Sequence, residues 1–161
     1  MTEYPTPTVP LASLHGELLV VVTALWFEID HGDGSGASAF FTPDAELRFI
    51  DRSFRGTAEI DAVYRARTER GRRVSRHLVT NLHVVRADEG SASAISALLL
   101  FADDGEPPRP TVTPLMIGDV VDEFVRTDDR WLISSRHVRE LFRAPGSVLA
   151  VPTRAGEAFP S

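Results

Sequence analysis

The segment Arg76-His77-Leu78-Val79-Thr80-Asn81-Leu82-His83-Val84-Val85-Arg86 is the part of the chain that decides its interpretation. Its alternation predicts a β-strand with His77, Val79, Asn81, His83 and Val85 on one face. This face is mostly apolar, yet it carries two imidazoles and a carboxamide. Burying a polar group without a partner costs free energy, so a packed core normally excludes such groups. The pattern therefore indicates the wall of a cavity; the alternative is that the histidines are core or rim residues with partners.

The length and composition indicate one domain and exclude several kinds of catalytic group. The chain has 161 residues and no cysteine, which excludes disulfides, thiolate nucleophiles and cysteine-ligated metals. All 17 basic residues are arginine, which excludes Schiff-base chemistry and a lysine general base. The net charge of -6 argues against a general nucleic-acid binder.

The two ends of the chain read as arms around a central core. We expect a single domain over residues 1–161, with a core at about 11–142 and loose or docked arms at 1–10 and 144–161. The N-terminal segment lacks the basic start and apolar run of a signal peptide. No apolar run approaches the roughly 20 residues of a membrane-spanning helix. The expectation is a cytoplasmic protein that binds no membrane.

The order of the predicted elements indicates an α+β fold. Helical spacing of apolar residues predicts a first helix from Leu11 to about Asp30, which the following glycines terminate. Thr57 is the expected N-cap of a second long helix, and residues 51–56 are expected to be a turn. The remaining predicted elements are a short helix at 37–41, a helix at 58–70 and strands at 45–50, 76–87, 92–102, 115–127 and 131–141. Helices first and antiparallel strands last favour helices packed on one face of a bent sheet.

With these residues, that order resembles the nuclear-transport-factor-2-like superfamily and, within it, the SnoaL-like group. The segments that carry the resemblance are Phe27–Asp33, Phe41–Leu47, His77–Leu82 and Gly118–Trp131. The resemblance implies a cone-shaped, curved antiparallel sheet that encloses a pocket, with the helices packed on one face. It also implies a homo-oligomer, a dimer or a trimer, formed through the exposed face of the sheet.

The closest catalytic resemblance is to scytalone dehydratase and hexachlorocyclohexane dehydrochlorinase. These enzymes use a carboxylate at the end of the first helix and a histidine on the pocket strand, and the matching positions here are Asp30 and His77. A histidine accepts a proton near neutral pH, and a buried carboxylate on its other nitrogen fixes the tautomer and stabilises the imidazolium. The implied function is a cofactor-independent acid/base enzyme that performs elimination, isomerisation or cyclisation on a small, largely apolar molecule.

The sequence also departs from these two enzymes. The dehydrochlorinase has a pocket lysine, which this chain lacks, and the dehydratase uses pocket tyrosines on its early elements. Here Tyr4 and Tyr64 are the only tyrosines. The Asp30–His77 pair therefore carries over, whereas the groups that polarise the substrate do not.

Further candidates for binding the substrate follow from the cone interpretation. They are Trp26, Leu47, Phe49, Tyr64, Asn81, Leu98, Val120, Asp122 and Phe124. Asn81 either donates to a substrate carbonyl or ties two strands together, and Asp122 is either a pocket acid or the partner of an arginine. The aromatic and aliphatic members are plain core residues if the cone is filled. For His83 a core or rim position is favoured, and for His137 an exposed or intersubunit one.

Other functional readings stay open at this point. The main alternative is a ligand-binding or subunit-like protein of the same fold without chemistry. A hydrolase would require Asp30, Asn81 and Asp122 to converge on one water. A metal site is not expected, because no metal-binding spacing links the histidines. Two interpretations remain for the basic cluster formed by Arg70, Arg72, Arg73 and Arg76. It either binds an anion or is a solvated helix end and loop, and the second interpretation is favoured.

Overall fold

The computed structural model describes residues 10–110 and 113–152. The helices are α1 (Leu11–His31), a 3-10 helix (Ala37–Phe40) and α2 (Gly56–Glu69). The strands are β1 (Phe41–Phe49), β2 (Arg52–Arg55), β3 (Arg73–Ala87), β4 (Ser91–Asp104), β5 (Met116–Thr127) and β6 (Arg130–Arg143). The α+β fold with a curved sheet is as predicted, and the helices pack against one side of it.

The six strands form one sheet in the order β2-β1-β6-β5-β4-β3. All neighbours are antiparallel except β1 and β6, which run parallel, so the predicted antiparallel sheet has one parallel pairing. The close approach of β5 and β6 requires glycine at position 118. A Cβ atom there would lie 2.1 Å from the carbonyl oxygen of Arg139.

Two local predictions around α2 were wrong. Residues 51–56, expected to be a turn, contain β2, which pairs with the end of β1 after a turn at Ile50. The helix then begins at Gly56, and Thr57 is not its N-cap. The Glu59 carboxylate instead accepts the backbone N–H of Arg55 at 2.7 Å, so a side chain within the first turn satisfies the exposed donor at the helix start.

The helix α1 lies with one side on the concave face of the sheet. The buried residues on that side are Leu14, Leu18, Val22, Leu25, Trp26 and Ile29. At 21 residues, and with a mean hydropathy of 1.4 over its most apolar 18 residues, α1 is also long and apolar enough to cross a membrane, in contrast to the expectation from sequence. Core helices of soluble proteins pass the same test, and this one packs against β3, β6 and the 3-10 helix.

Two one-residue shifts interrupt the pairing of β3 with β4, and the first is a β-bulge between Thr80 and His83. Thr80 pairs with Ala97 and His83 with Ile95, so three steps on β3 match two on β4. Asn81, at the bulge, has a φ of 54°, a conformation that asparagine tolerates better than most residues. Because the side-chain period of a strand is two, the extra residue reverses the faces of the side chains that follow it, until a second shift between Val84 and Arg86 reverses them again.

The segment after β6 returns to the cone. Leu149 is only 5% exposed within the hydrophobic core, and Val151 packs against the same core. The C-terminal arm is therefore docked as far as residue 152. The prediction of loose arms otherwise concerns residues 1–9 and 153–161, which lie outside the described part of the chain.

Candidate active site

The Asp30 carboxylate and the His77 ring are in direct contact. His77 Nδ1 lies 2.7 Å from Asp30 Oδ1, and the side chains are only 11% and 6% exposed for His77 and Asp30 respectively. Trp26 and Asp30 are four residues apart on α1 and therefore share one side of the helix. Trp26 stacks on the His77 ring, with centroids 4.1 Å apart and planes at 9°. One helix thus fixes both the edge and the face of the imidazole.

The Asp30 carboxylate accepts hydrogen bonds from three donors. Oδ2 accepts the backbone N–H of His77 at 2.7 Å, and Oδ1 accepts the Ser75 hydroxyl at 2.7 Å as well as the His77 ring. Arg67 Nη2 donates to Ser75 Oγ at 2.7 Å. Ser75 and His77 are two residues apart and share the inner face of β3. The network orients the ring so that Nδ1 carries its proton toward Asp30.

The electrostatics of the pair favour an ionised Asp30 and a neutral His77. Burial acts to raise the pKa of Asp30, but the hydrogen bonds and charge of His77 and the hydrogen bond of Ser75 outweigh it and lower the pKa to about 2. Burial lowers the pKa of His77 below 6.5; Asp30 opposes this shift, whereas the charges of Arg67 and Arg136 add to it. At neutral pH, Nε2 of His77 is therefore an available proton acceptor.

His77 lines an apolar cavity between the sheet and the two helices. The space between its walls, with the open solvent at the mouth included, amounts to about 590 Å³, and the part that the centre of a water molecule can reach is about 50 Å³. Its apolar walls comprise Trp26, Ile29, Leu47, Phe49, Val63, Leu100, Val138, Leu149, Ala150 and Val151. The polar lining groups come from one inner face of α2, with Tyr64 and Arg67, and from alternate positions of β3, with Arg73, Ser75 and His77. All polar groups therefore lie along one wall.

Four of the predicted substrate-binding residues line this cavity, namely Trp26, Leu47, Phe49 and Tyr64. Burial raises the pKa of the Tyr64 hydroxyl to about 12, although the charges of Arg136 and Arg67 oppose the shift. The hydroxyl therefore keeps its proton at neutral pH. It is a hydrogen-bond donor at the cavity wall.

Leu98, Val120 and Phe124 were predicted to line the pocket, and the structure corrects this placement. Each is at most 1% exposed in the packed core, and none lines the cavity. They belong to the same hydrophobic core as the buried side of α1. The cavity is lined instead by residues of α2, of the C-terminal segment and of neighbouring strand positions such as Leu100 and Val138.

Asp122 is also not a pocket residue. Its two carboxylate oxygens accept hydrogen bonds from Nε and Nη2 of Arg136 at 2.7 and 2.8 Å. Arg136 is 0% exposed. Burial acts to lower the pKa of Arg136, but the charge and hydrogen bonds of Asp122 raise it above its usual value. Of the two alternatives for Asp122, the structure selects the partner of an arginine. Arg136 also lies over the Trp26 ring, 5.1 Å from its centroid.

Asn81 lies outside the cavity, in contrast to its predicted role. The bulge leaves its side chain exposed, where Oδ1 accepts from Thr80 at 3.3 Å. The same reversal puts His83 on the outer face opposite Ile95, whereas Leu82 and Val84 pack against the core. Asp30, Asn81 and Asp122 therefore do not converge on one water. His137 is half-buried, with Nε2 3.3 Å from the Ile50 carbonyl.

Several lining residues were not identified from the sequence. Ser75 shares the strand face of His77, and Arg67 follows Tyr64 by three residues on the inner side of α2, so both had a detectable signal in their spacing. The sequence indicated Arg73 only as a member of the basic cluster at the helix end. The C-terminal residues Leu149–Val151 had no periodic signal that could place them at the cavity.

The comparisons with known proteins concern the family and the fold. The model of the SnoaL-like domain matches residues 13–137. A putative scytalone dehydratase from Novosphingobium aromaticivorans has 17% identity and a TM-score of 0.74, with 91% of this chain and 96% of that chain covered. ActVI-ORFA from Streptomyces coelicolor has 26% identity and a TM-score of 0.69, with 83% and 99% covered.

A third structure contains a small molecule. It is a protein from Catenulispora acidiphila in complex with S-DNPA, with 23% identity and a TM-score of 0.69, and it covers 80% of this chain and 94% of its own. The comparison with curated proteins found no match.

Proposed function

This chain belongs to the SnoaL-like domain family, which includes polyketide cyclases and dehydratases, and on that premise we propose that it is a cofactor-independent acid/base enzyme. Its substrate is a small, largely apolar molecule, and its reaction is an elimination of water, an isomerisation or a cyclisation. The observation that carries the proposal is the 2.7 Å contact between Asp30 and His77 on a ring that also lines an apolar cavity.

In this proposal, His77 removes a proton from a carbon next to a carbonyl group. Nε2 takes the proton while Nδ1–H stays bonded to Asp30, so the imidazolium that forms is stabilised by an adjacent carboxylate. The face of Trp26 adds to this stabilisation, because an aromatic face attracts a cation. The proton then leaves with the departing hydroxyl as water in an elimination, or returns to another carbon in an isomerisation.

The negative charge that develops on the carbonyl oxygen needs a donor. Tyr64 supplies it in this proposal, because this residue lines the cavity and its hydroxyl stays protonated. Leu47 and Phe49 from β1 hold the apolar body of the substrate. An apolar surrounding strengthens each of these polar interactions, because fewer water dipoles screen them.

The test uses a simple β-hydroxy ketone, 4-hydroxy-4-phenylbutan-2-one. Its dehydration to 4-phenylbut-3-en-2-one extends the conjugation and is followed by ultraviolet absorbance. We expect His77→Gln and Asp30→Asn each to lower turnover by about 10²–10⁴-fold while the protein still folds. His83→Gln is the matched control, since it alters a histidine of the same strand that lies on the outer face. Turnover that stays near the wild-type value in both variants would exclude the proposed roles.

The second candidate is a ligand-binding or subunit-like protein of the same fold. The position of Leu149–Val151 at the cavity favours it, because this segment narrows the space that a substrate must enter. In that case the hydroxy ketone or its product binds without turnover, and His77→Gln binds either molecule as the wild type does. The cytoplasmic location and the dimer or trimer stay predictions.

A further inference from the structure

The charged groups that line the cavity have one sign. They are the guanidinium groups of Arg67 and Arg73, which lie on the same wall as Ser75 and His77. Both arginines also line a groove on the outside of the cone, which contains Arg72 and Arg76 and the carboxylates of Asp30, Asp33 and Glu106. The two arginines therefore stand where the apolar interior meets the groove. Inside the cavity itself both charged side chains are positive, in a chain whose net charge is -6.

The donors of these arginines exceed the acceptors that the described residues offer them. A guanidinium group has five N–H donors, and the hydrogen bond described for the Arg67 side chain is the one from Nη2 to Ser75. No described carboxylate lies within ion-pair distance of Arg67. Asp30 is connected to Arg67 through Ser75, but its carboxylate already accepts hydrogen bonds from three donors.

The neighbouring arginines differ in whether each has a carboxylate of its own as a partner. Arg72 is paired with Glu106, whereas Arg70 and Arg73 share the single carboxylate of Asp104, on opposite oxygens. Asp104 is half-exposed, so its attraction for Arg73 is weakened by water. A guanidinium group at the edge of an apolar cavity gains most from an acceptor that is charged and binds two N–H groups at once.

From this arrangement we infer that the ligand of the cavity carries a carboxylate, which Arg67 and Arg73 bind at the mouth while its apolar body extends along the wall toward His77. This inference rests on the proposed function only for the statement that the ligand is a substrate. Arg73 and His77 are four residues apart on one strand, so their Cα atoms are roughly 13 Å apart. Because the arginine side chains are long, the distance from the bound carboxylate to the His77 ring is shorter than this Cα separation. We therefore expect several bonds in the ligand between its carboxylate and the carbon that loses the proton.

The test compares two probes of equal shape, 4-phenylbutanoate and its neutral amide, 4-phenylbutanamide. Their affinities are measured by isothermal titration calorimetry at neutral pH. We expect the wild type to bind the carboxylate about tenfold or more tightly than the amide, as for a charge-assisted pair in a partly dry site. Arg67→Gln and Arg73→Gln should each remove most of this preference and leave the affinity for the amide nearly unchanged.

Arg65→Gln is the matched control, because it removes an exposed arginine of α2 that does not line the cavity. It should keep the wild-type preference. Equal affinities for the two probes, no binding of either probe, or a preference that survives both Arg67→Gln and Arg73→Gln would overturn the inference. Thermal unfolding of each variant separates a lost preference from a lost fold.

One further variant separates this inference from the proposed function. His77→Gln should keep the preference for the carboxylate, because His77 takes no part in binding the anion. If the preference is present but no variant of His77 changes the turnover of the hydroxy ketone, the carboxylate site stands and the acid/base function fails. The reverse result leaves the acid/base function standing and removes the carboxylate from its substrate.

Discussion

Two buried carboxylates, Asp30 and Asp122, have similar surroundings and different consequences. Each lies 2.7 Å from a nitrogen of a basic side chain, and each is at most 6% exposed. The partner of Asp30 is a histidine whose pKa is below 6.5 and whose ring reaches the cavity. The partner of Asp122 is a fully buried arginine that does not line the cavity and keeps its charge.

The difference shows that burial and a close partner do not by themselves identify a catalytic carboxylate. What distinguishes Asp30 is a partner that can gain and lose a proton at neutral pH and that also contacts the space a substrate would occupy. A buried pair with arginine has neither property, and replacing one partner leaves an uncompensated charge in the core. The first carboxylate is suited to chemistry, and the second to structure.

The largest effect that we expect separates the two carboxylates by stability. Asp122→Asn should lower the free energy of unfolding by about 3–5 kcal/mol, because it strands the Arg136 charge in the core. Asp30→Asn should cost clearly less, since it leaves a neutral imidazole beside a neutral amide. Urea denaturation of both variants provides the measurement. If Asp30→Asn were as destabilising as Asp122→Asn, the distinction between the sites would not hold.

The pH dependence of turnover sharpens the same comparison. A neutral His77 is required, so turnover should be constant above its folded pKa, which lies below 6.5, and fall about tenfold per pH unit below it. Asp30 raises the pKa of His77 and Arg67 lowers it. Asp30→Asn should therefore move the acid limb to lower pH and Arg67→Gln to higher pH. Shifts in the same direction, measured on the hydroxy ketone, would contradict this account.

The stability of the wild type should follow the same titration. Between pH 6.5 and the lower folded pKa of His77, the unfolded chain binds a proton that the folded chain does not. The free energy of unfolding should therefore decrease as the pH falls through this window. His77→Gln should remove this part of the pH dependence, which urea denaturation at several pH values would detect.

The smallest effect concerns Trp26, the residue that touches both sites. Its ring contacts His77 on one hand and the Arg136 guanidinium on the other. Trp26→Phe should lower the free energy of unfolding by roughly 1–2 kcal/mol through lost contact area and a weaker cation–π interaction. Turnover should fall less than in His77→Gln, because Asp30 still holds the ring. Differential scanning calorimetry and the dehydration assay check the two parts, and turnover as low as in His77→Gln would show that Asp30 alone does not orient the ring.

The fold and the Asp30–His77 contact could be predicted because both depend on regular spacing and on a resemblance that covers most of the chain. Helical and strand periods place Asp30 at the end of α1 and His77 near the start of β3, and the fold brings the two ends together. The contact is as predicted, and its catalytic role stays a proposal. The strand β2 was missed because four residues are too short for a periodic signal.

The errors at Asn81 and at Leu98, Val120 and Phe124 have physical causes that spacing cannot reveal. One extra residue near Asn81 inverts the faces of β3 as far as the second register shift after Val84, and a bulge leaves little trace in the local sequence. The position of the cavity along the cone depends on how far α1 fills it and on where the C-terminal segment docks. Both are contacts between residues far apart in the chain.

The strand that carries His77 lies at one edge of the sheet. An edge strand presents unpaired N–H groups that can recruit a strand from another molecule and so start aggregation. At His77 this N–H is occupied by Asp30 Oδ2, and α1 lies alongside the same strand. The Asp30 carboxylate that orients the imidazole therefore also blocks one backbone donor through which two copies could pair edge to edge. Resistance to this kind of aggregation and the position of the proposed base thus depend on the same side chain.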